Sequence, residues 1–245
     1  MAPSAIIETP VAPDEVFKPS QHVSPAPNES TAVSFDPATH LAYSPPSRIV
    51  TMKDLGYEPT VLSPVATTEP FPFLSYEGLL QHRRELFSKP VLDNCMHLTR
   101  NGAAYLRGMA PRYSPFLYQF WHSPEVLKLV SDIAGVELVP ALDYDICHTN
   151  IQMGPGGVEE VRNTPVEPPA VTEEAIKQLS EAKQESQESD RLDDSKNIVE
   201  WHKDSHPWVI VVMLSDARYM EGGETELMRG DGTTTKVRAP QMVRN

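Results

Sequence analysis

An imidazole and a carboxylate stand two positions apart in the segment WHKDSHPW, at His202 and Asp204. Successive side chains on a β-strand point to opposite faces, so residues two apart leave the same face and can converge on one ion. Two histidines and one carboxylate on one face of Fe(II) leave the other positions open for a co-substrate and O₂. The pair therefore offers two of the three protein ligands of an oxygen-activating iron site. A hydrogen-bonded His–Asp pair on a solvated strand would have the same spacing.

Two neighbours of this pair could support it. His206 lies on the same alternation face, but three ligands at alternate positions of an extended strand span about 13 Å, at about 3.3 Å per residue. One ion cannot bridge that span unless the backbone bends. We therefore expect His206 to support the metal ligands, with direct metal binding as the less favoured alternative, and we assign Trp201 a supporting role as well.

The sequence after the pair is typical of strands joined by tight turns. PWVIVVMLSD indicates a buried strand, GGET a turn at Gly222 and Gly223, and TELMRGDGTTTKVRAP a hairpin with a DG turn signal. The order EWHKDSHPW, VVMLSDARYMEGGETEL, KVRAPQM resembles the fungal branch of the iron(II)/2-oxoglutarate-dependent dioxygenases. The resemblance covers about residues 115–243.

This resemblance implies a fold and a metal site. The fold would be α+β or mainly β, with a double-stranded β-helix (jelly-roll) core and flanking N-terminal helices. His202 and Asp204 would be the first two ligands of Fe(II), with 2-oxoglutarate as co-substrate, and Gly222 and Gly223 would shape the core. The reaction would couple 2-oxoglutarate decarboxylation to hydroxylation, desaturation or cyclisation of a small metabolite, by analogy an amino-acid-derived one.

A pocket-lining strand is predicted upstream, in DYDICHTNIQ. Strand alternation places Tyr144, His148, Asn150 and Gln152 on one face, which is unusually polar for a core strand. In the family that it resembles, an early strand often supplies groups to the co-substrate or substrate. These four side chains are therefore pocket candidates, with hydrogen bonding within the core as the alternative.

The chain departs from the family pattern after Asp204. The pattern places a second metal histidine and a basic residue for the far carboxylate of 2-oxoglutarate on later strands, and neither follows here. We therefore expect the C-terminal core strands to be missing. Val243-Arg244 can be encoded by GTG-AGG, a splice-donor sequence, so a gene-model or splice product is our hypothesis. The alternatives are a catalytically inactive truncated relative and a cupin-like protein that binds zinc through HKDSH.

The elements that must position these residues follow from composition and periodicity. Residues 1–47 are rich in Pro and Ser and predict a disordered arm, followed by one domain over 48–245. Capping signals predict helices near 75–88 and over about 124–134. Between Val158 and Ser195 there are 11 acidic and 4 basic residues, so about 154–197 is predicted to be a mobile acidic insertion.

Bulk properties restrict the partners. A net charge of −13 and a pI near 5.0 argue against nucleic acid and anionic membranes as partners, and favour a small-molecule substrate. The sequence has two cysteines, too few for a disulfide framework. It shows no secretory signal and no apolar run of about 18 residues, so we expect a soluble, cytoplasmic protein. The sequence does not indicate an oligomeric state.

Overall fold

A computed structural model describes residues 33–58, 61–99, 103–154, 156–170, 172, 206–216, 224–237 and 242–244. Within these residues the fold is mixed, with short helices and small antiparallel sheets. The helices are α1 (Pro37–His40), α2 (Tyr76–Leu86), α3 (Lys89–Asn94), α4 (Pro115–His122), α5 (Pro124–Ala134) and α6 (Gly157–Arg162). Two 3₁₀ turns span Lys53–Leu55 and Asp143–Asp145.

The strands within the described part of the chain form three antiparallel sheets. They are β1 (Ile49–Thr51), β2 (Val65–Thr68), β3 (Met96–Leu98), β4 (Ala104–Leu106), β5 (Thr149–Ile151), β6 (Trp208–Ile210), β7 (Thr225–Met228), β8 (Thr234–Val237) and β9 (Met242–Arg244). The largest sheet has the order β1-β2-β9-β6, the second β3-β4-β5, and β7 and β8 form a separate hairpin. The α+β class expected from the sequence is therefore present.

The two predicted helices are confirmed together with their caps. Ser75 accepts a hydrogen bond from the Gly78 amide at 3.0 Å and begins α2. Ser123 accepts one from Val126 at 3.2 Å and begins α5, and Gly135, at φ 68°, ends it. A serine hydroxyl satisfies an amide that a helix start leaves unpaired, and glycine adopts the left-handed conformation without strain. No helix among the described residues combines the length and the apolar composition needed to cross a bilayer.

The core is built around α4 and α5. Phe116, Leu117 and Phe120 of α4 are fully buried, and Val126 of α5 joins them. Full burial of each such side chain contributes about 1.5–3 kcal/mol relative to exposure. The Phe120 ring meets the Phe73 ring edge-on at 5.8 Å, which joins the helices to the segment that follows β2.

The predicted arm is ordered over its last residues, which corrects its boundary at 47. Asp36 caps α1, His40 is 3% exposed, and the Phe35 ring contacts the Phe120 ring edge-on at 4.9 Å. The Ala42 amide also bonds to the Phe73 carbonyl at 3.0 Å. Residues 33–47 therefore belong to the core, and residues 1–32 lie outside the described part.

The start of the predicted mobile insertion is also packed. Val161 of α6 is 3% exposed within the core cluster, and Arg162 forms an ion pair with Asp93 at 2.6 Å. Residues 157–162 of the predicted insertion therefore form a helix packed on the core. The more acidic stretch from 173 onwards lies outside the described residues.

The strand predictions near the C-terminus have mixed outcomes. The hairpin is confirmed as β7–β8, with Gly232 at φ 83° in its turn. PWVIVVMLSD contains a strand only at Trp208–Ile210, and residues 208–214 are half-buried. The GGET turn with Gly222 and Gly223 lies outside the described residues.

Candidate functional site

The structure describes only part of the predicted site. His202, Asp204 and Trp201 lie outside the described residues, as do the two turn glycines. The four candidates of the upstream segment and His206 are described. Among the residues that the structure covers, no group of three or more His, Cys, Asp or Glu side chains could hold a metal ion.

The upstream segment is not one continuous strand, which corrects the prediction for Tyr144. Asp143–Asp145 form a 3₁₀ turn, Cys147 has φ 56°, and the strand β5 begins only at Thr149. A positive φ is uncommon for a residue with a side chain and marks a sharp change of direction. Tyr144 therefore leaves from the turn and not from the strand, and is 52% exposed.

The other three candidates keep the predicted alternation. His148, Asn150 and Gln152 are exposed, whereas Thr149 and Ile151 between them are half-buried. The polar face in and beside β5 is therefore present from residue 148 onwards, and its side chains are exposed.

Two residues of the neighbouring strands extend this polar face. Tyr105 of β4 pairs in register with Asn150 of β5 and with His97 of β3. Its ring stacks on the His97 imidazole at 5.0 Å and meets the His148 ring edge-on at 5.5 Å. His97 and Tyr105 lie far from His148 along the chain, so only the register of the sheet identifies them.

A cluster of Arg107, Asp145 and His206 joins the turn before β5 to the end of the HKDSH segment. His206 Nε2 lies 2.8 Å from Asp145 Oδ2, and Arg107 Nε and Nη2 each lie 2.5 Å from Asp145 Oδ1. Burial acts to raise the pKa of Asp145, but the hydrogen bonds from His206 and Arg107 outweigh it and the pKa is lowered. The cluster therefore holds Asp145 as a carboxylate.

Tyr144 supports this cluster from one side. The Arg107 guanidinium lies 5.0 Å from the centre of the Tyr144 ring, and the Gly108 amide donates to the Tyr144 carbonyl at 2.9 Å. A Cβ at Gly108 would come within 2.6 Å of the Tyr144 ring. Glycine at this position therefore allows the turn to pack directly on β4.

The thiol of Cys147 is held in an unreactive form beside the site. The Trp121 indole N–H donates to Cys147 Sγ at 2.9 Å, and burial raises the pKa of Cys147 to about 12. Because the thiolate is the reactive species, a raised pKa disfavours nucleophilic or metal chemistry at this sulfur. Cys147 therefore has a structural role in the turn.

Arg83 of α2 holds two segments, one before and one after the HKDSH segment in the chain. It is 2% exposed and donates to the carbonyls of Val166, Pro165 and Leu214 at 2.6–2.7 Å. One guanidinium thus ties the start of the insertion and the residues after β6 to a core helix. Its planar fork of donors suits such a three-way contact.

An apolar cleft of about 350 Å³ lies between the segment that follows β2 and the β6 segment. It is lined by residues 71–76 and Leu79 on one side and 210–213 on the other. The side chains that line it include Phe71, Phe73 and Ile210, so it offers few polar groups for chemistry.

The described residues define a mixed α/β protein with a polar sheet face at His97, Tyr105 and Asn150 and a part-buried ion cluster of Arg107, Asp145 and His206. Comparisons of the chain with protein-family models, with curated proteins and with solved structures gave no match. The resemblance to the dioxygenases therefore stays a prediction from the sequence.

Proposed function

We propose that the protein is an iron(II)- and 2-oxoglutarate-dependent oxygenase of the double-stranded β-helix class that acts on a small molecule. His202 and Asp204 would be two of its iron ligands. The observation that carries the proposal is the nested strand pairing that directly follows the HKDSH segment.

The nesting involves four strands in two sheets. β6 pairs with β9 antiparallel, with Val209 opposite Val243, while β7 and β8 pair with each other in a separate sheet. In a jelly roll a long hairpin of strands folds over itself. Two strands that pair in one sheet are then separated in sequence by two strands that pair in the other sheet. In sequence the β6–β9 pair encloses the β7–β8 pair, and this nesting supports such a fold.

The two donor types fit the metal, while the third ligand of the family pattern has no counterpart on a later strand. One imidazole nitrogen and one carboxylate oxygen belong to the ligand set that leaves open positions on Fe(II) for oxygen activation. When bound, iron would supply the activation of O₂ coupled to 2-oxoglutarate decarboxylation. The chain's own contribution would be to hold the metal and to bind and orient the substrate, for which His148, Asn150 and Gln152 offer exposed polar groups in and beside β5.

The test combines metal binding with turnover in the full chain. Anaerobic calorimetry should show binding of Fe(II), and succinate release on addition of 2-oxoglutarate and O₂ would show that another group completes the site, since no histidine follows on a later strand. We expect His202→Ala and Asp204→Ala to lose both. Lys203→Ala is the matched control, because strand alternation predicted from the sequence would place Lys203 on the opposite face, and it should keep both.

The same experiment separates the alternatives. Binding of Zn(II) without succinate release would favour a zinc-binding protein, and no metal binding would favour an inactive relative. Retention of Fe(II) binding by both ligand variants would overturn the assignment of His202 and Asp204.

A further inference from the structure

We propose that Ser44 is a phosphorylation site for a proline-directed protein kinase. Ser44 is exposed on an extended segment, and Pro45 follows it directly. The proposal goes beyond the proposed function and is independent of it, because it concerns a surface segment that holds neither the metal nor the substrate.

The reaction is the transfer of a phosphoryl group from ATP. Ser44 Oγ would attack the γ-phosphorus, so that a new O–P bond forms and the bond from that phosphorus to the β-phosphate oxygen breaks, with ADP as the leaving group. An aspartate of the kinase would accept the hydroxyl proton. The kinase has to reach the hydroxyl with these groups, so a modified serine must be exposed in the folded chain.

Exposure distinguishes Ser44 from the other serines that precede a proline. Ser-Pro pairs begin at Ser24, Ser44, Ser63, Ser114 and Ser123. Ser63 is 2% exposed, Ser114 0% and Ser123 8%. Ser24 lies outside the described residues. Within the part of the chain that the structure describes, Ser44 is therefore the serine of such a pair that a kinase can reach.

Two of the buried hydroxyls also have structural contacts. Ser63 Oγ donates to the Ala134 carbonyl, and Ser123 Oγ accepts the Val126 amide at the start of α5. A phosphate carries a charge of about −1.5 to −2 at pH 7, and burying it without a cationic partner is costly. At Ser44 the phosphate would stay in water, so the fold can accept it.

The Thr-Pro pair at Thr164 is excluded by its conformation. Thr164 directly follows the end of α6, and its amide donates to the Val161 carbonyl at 3.2 Å. Its hydroxyl donates to the Glu160 carbonyl at 3.3 Å. A kinase cleft that binds an extended chain does not fit this turn.

The backbone at Ser44 is extended. Its amide donates to the Pro72 carbonyl at 3.2 Å, in an antiparallel arrangement with the segment that follows β2. Tyr43 is half-buried against the core, whereas Ala42 and Ser44 on either side of it are exposed. This alternation directs Ser44 to solvent. A residue before proline is also restricted to extended conformations.

Pro45 provides the selectivity. Proline has no amide hydrogen, so it fits a kinase pocket that offers no hydrogen-bond acceptor at this position. Any other residue would leave its amide unpaired there, at a cost in binding free energy. Pro45 is itself exposed, so the pocket can receive it.

The test uses a purified proline-directed kinase with Mg-ATP and the full chain carrying Thr9→Ala and Ser24→Ala. These two changes remove the Thr-Pro and Ser-Pro pairs that lie outside the described residues. Mass spectrometry of the digested product locates the phosphate, and circular dichroism reports the fold of each variant and of the product. We expect phosphate at Ser44 of a folded chain.

Three variants of this parent chain test the site. Ser44→Ala and Pro45→Ala should each lose the phosphate at this position. Ser47→Ala is the matched control, because Ser47 is also exposed but is followed by Arg48. It should be phosphorylated at Ser44 like the parent chain.

A synthetic peptide of residues 38–50 separates local sequence from folded structure. Phosphorylation of the peptide but not of the folded chain would show that Ser44 cannot be reached and would overturn the proposal, as would no phosphorylation of either. Full phosphorylation of Pro45→Ala would overturn the role of the proline. Phosphate at Ser63, Ser114 or Ser123 to the same extent as at Ser44, or loss of the fold on modification, would overturn the argument from exposure.

Discussion

At the scale of single residues, His82 is an uncharged histidine within the core. Its Nδ1 contacts the Gly78 carbonyl at 2.8 Å, and its ring meets the Phe120 ring edge-on at 4.7 Å. Nε2 is buried and has no hydrogen-bond partner in the part of the chain that the structure describes. Burial lowers the pKa of His82 to about 4, because a charged imidazole there would lose its hydration.

This shift predicts a pH dependence of stability. The unfolded chain protonates His82 near pH 6.5 and the folded protein only near pH 4, so the free energy of unfolding falls as the pH is lowered between these values. The full effect is on the order of 3 kcal/mol. His82→Leu removes the titrating group, so urea unfolding should show a shallower decline between pH 6.5 and 4. A variant with the wild-type slope would contradict the prediction.

At the scale of elements, the start of α4 is capped by a residue of another helix. Ser114 makes no side-chain cap contact, and Glu85 of α2 instead accepts the amides of Phe116 and Leu117 at 3.0 Å each. The helix dipole favours a negative charge there. Burial nevertheless raises the pKa of Glu85 and outweighs these two hydrogen bonds.

Substitution at Glu85 should therefore distinguish hydrogen bonding from charge. Glu85→Ala leaves two part-buried amides without their acceptor and should lower the free energy of unfolding by about 1–3 kcal/mol. Glu85→Gln keeps one oxygen acceptor and removes a partly desolvated charge. It should therefore lower the free energy of unfolding by less than Glu85→Ala does. Denaturant unfolding of both variants at neutral pH measures the difference, and equal losses would show that the carboxylate charge is essential.

The elements also show what the sequence could predict. Ser75, Ser123 and Gly135 set helix ends through local contacts, so the local sequence pattern was sufficient to predict those ends. The prediction of a strand through Tyr144 was wrong because the bonds of Asp145 to Arg107 and His206 stabilise a turn there. Partners so distant in sequence leave no local pattern from which the turn could be predicted. The sequence also did not predict that residues 33–47 are ordered. Phe35 and His40 pack into the core there without the helical periodicity that would have indicated it. His202 and Asp204 stay predictions, since they lie outside the described residues.

At the scale of the whole molecule, the β7–β8 hairpin docks on the turn at Lys53–Leu55. The Gly230 amide donates to the Leu55 carbonyl at 2.8 Å, and the Tyr57 hydroxyl donates to the Met228 carbonyl at 3.0 Å. A Cβ at Gly230 would lie 2.1 Å from the Gly56 carbonyl oxygen. The two backbones approach so closely that a side chain does not fit between them.

Gly230→Ala should therefore separate the hairpin from this turn. Forcing a methyl group into a packed contact typically costs about 1–3 kcal/mol, and the obstacle here is backbone that cannot rotate away. Hydrogen exchange should become faster at the amides of residues 225–237. Thr234→Ala, at an exposed position of β8, is the control and should leave exchange unchanged. Unaltered exchange in Gly230→Ala would show that the docking is not rigid.

The central position of β9 in the largest sheet has a consequence for how the chain folds. β9 pairs with β2 through Val243 and Thr67 and also with β6, so the sheet joins residues very distant in sequence. Closing such a long loop costs entropy before any contact compensates it, so we expect this sheet to form late and to limit the folding rate. Until β9 arrives, β2 and β6 present unpaired edges to other chains. Refolding yield should consequently fall as protein concentration rises.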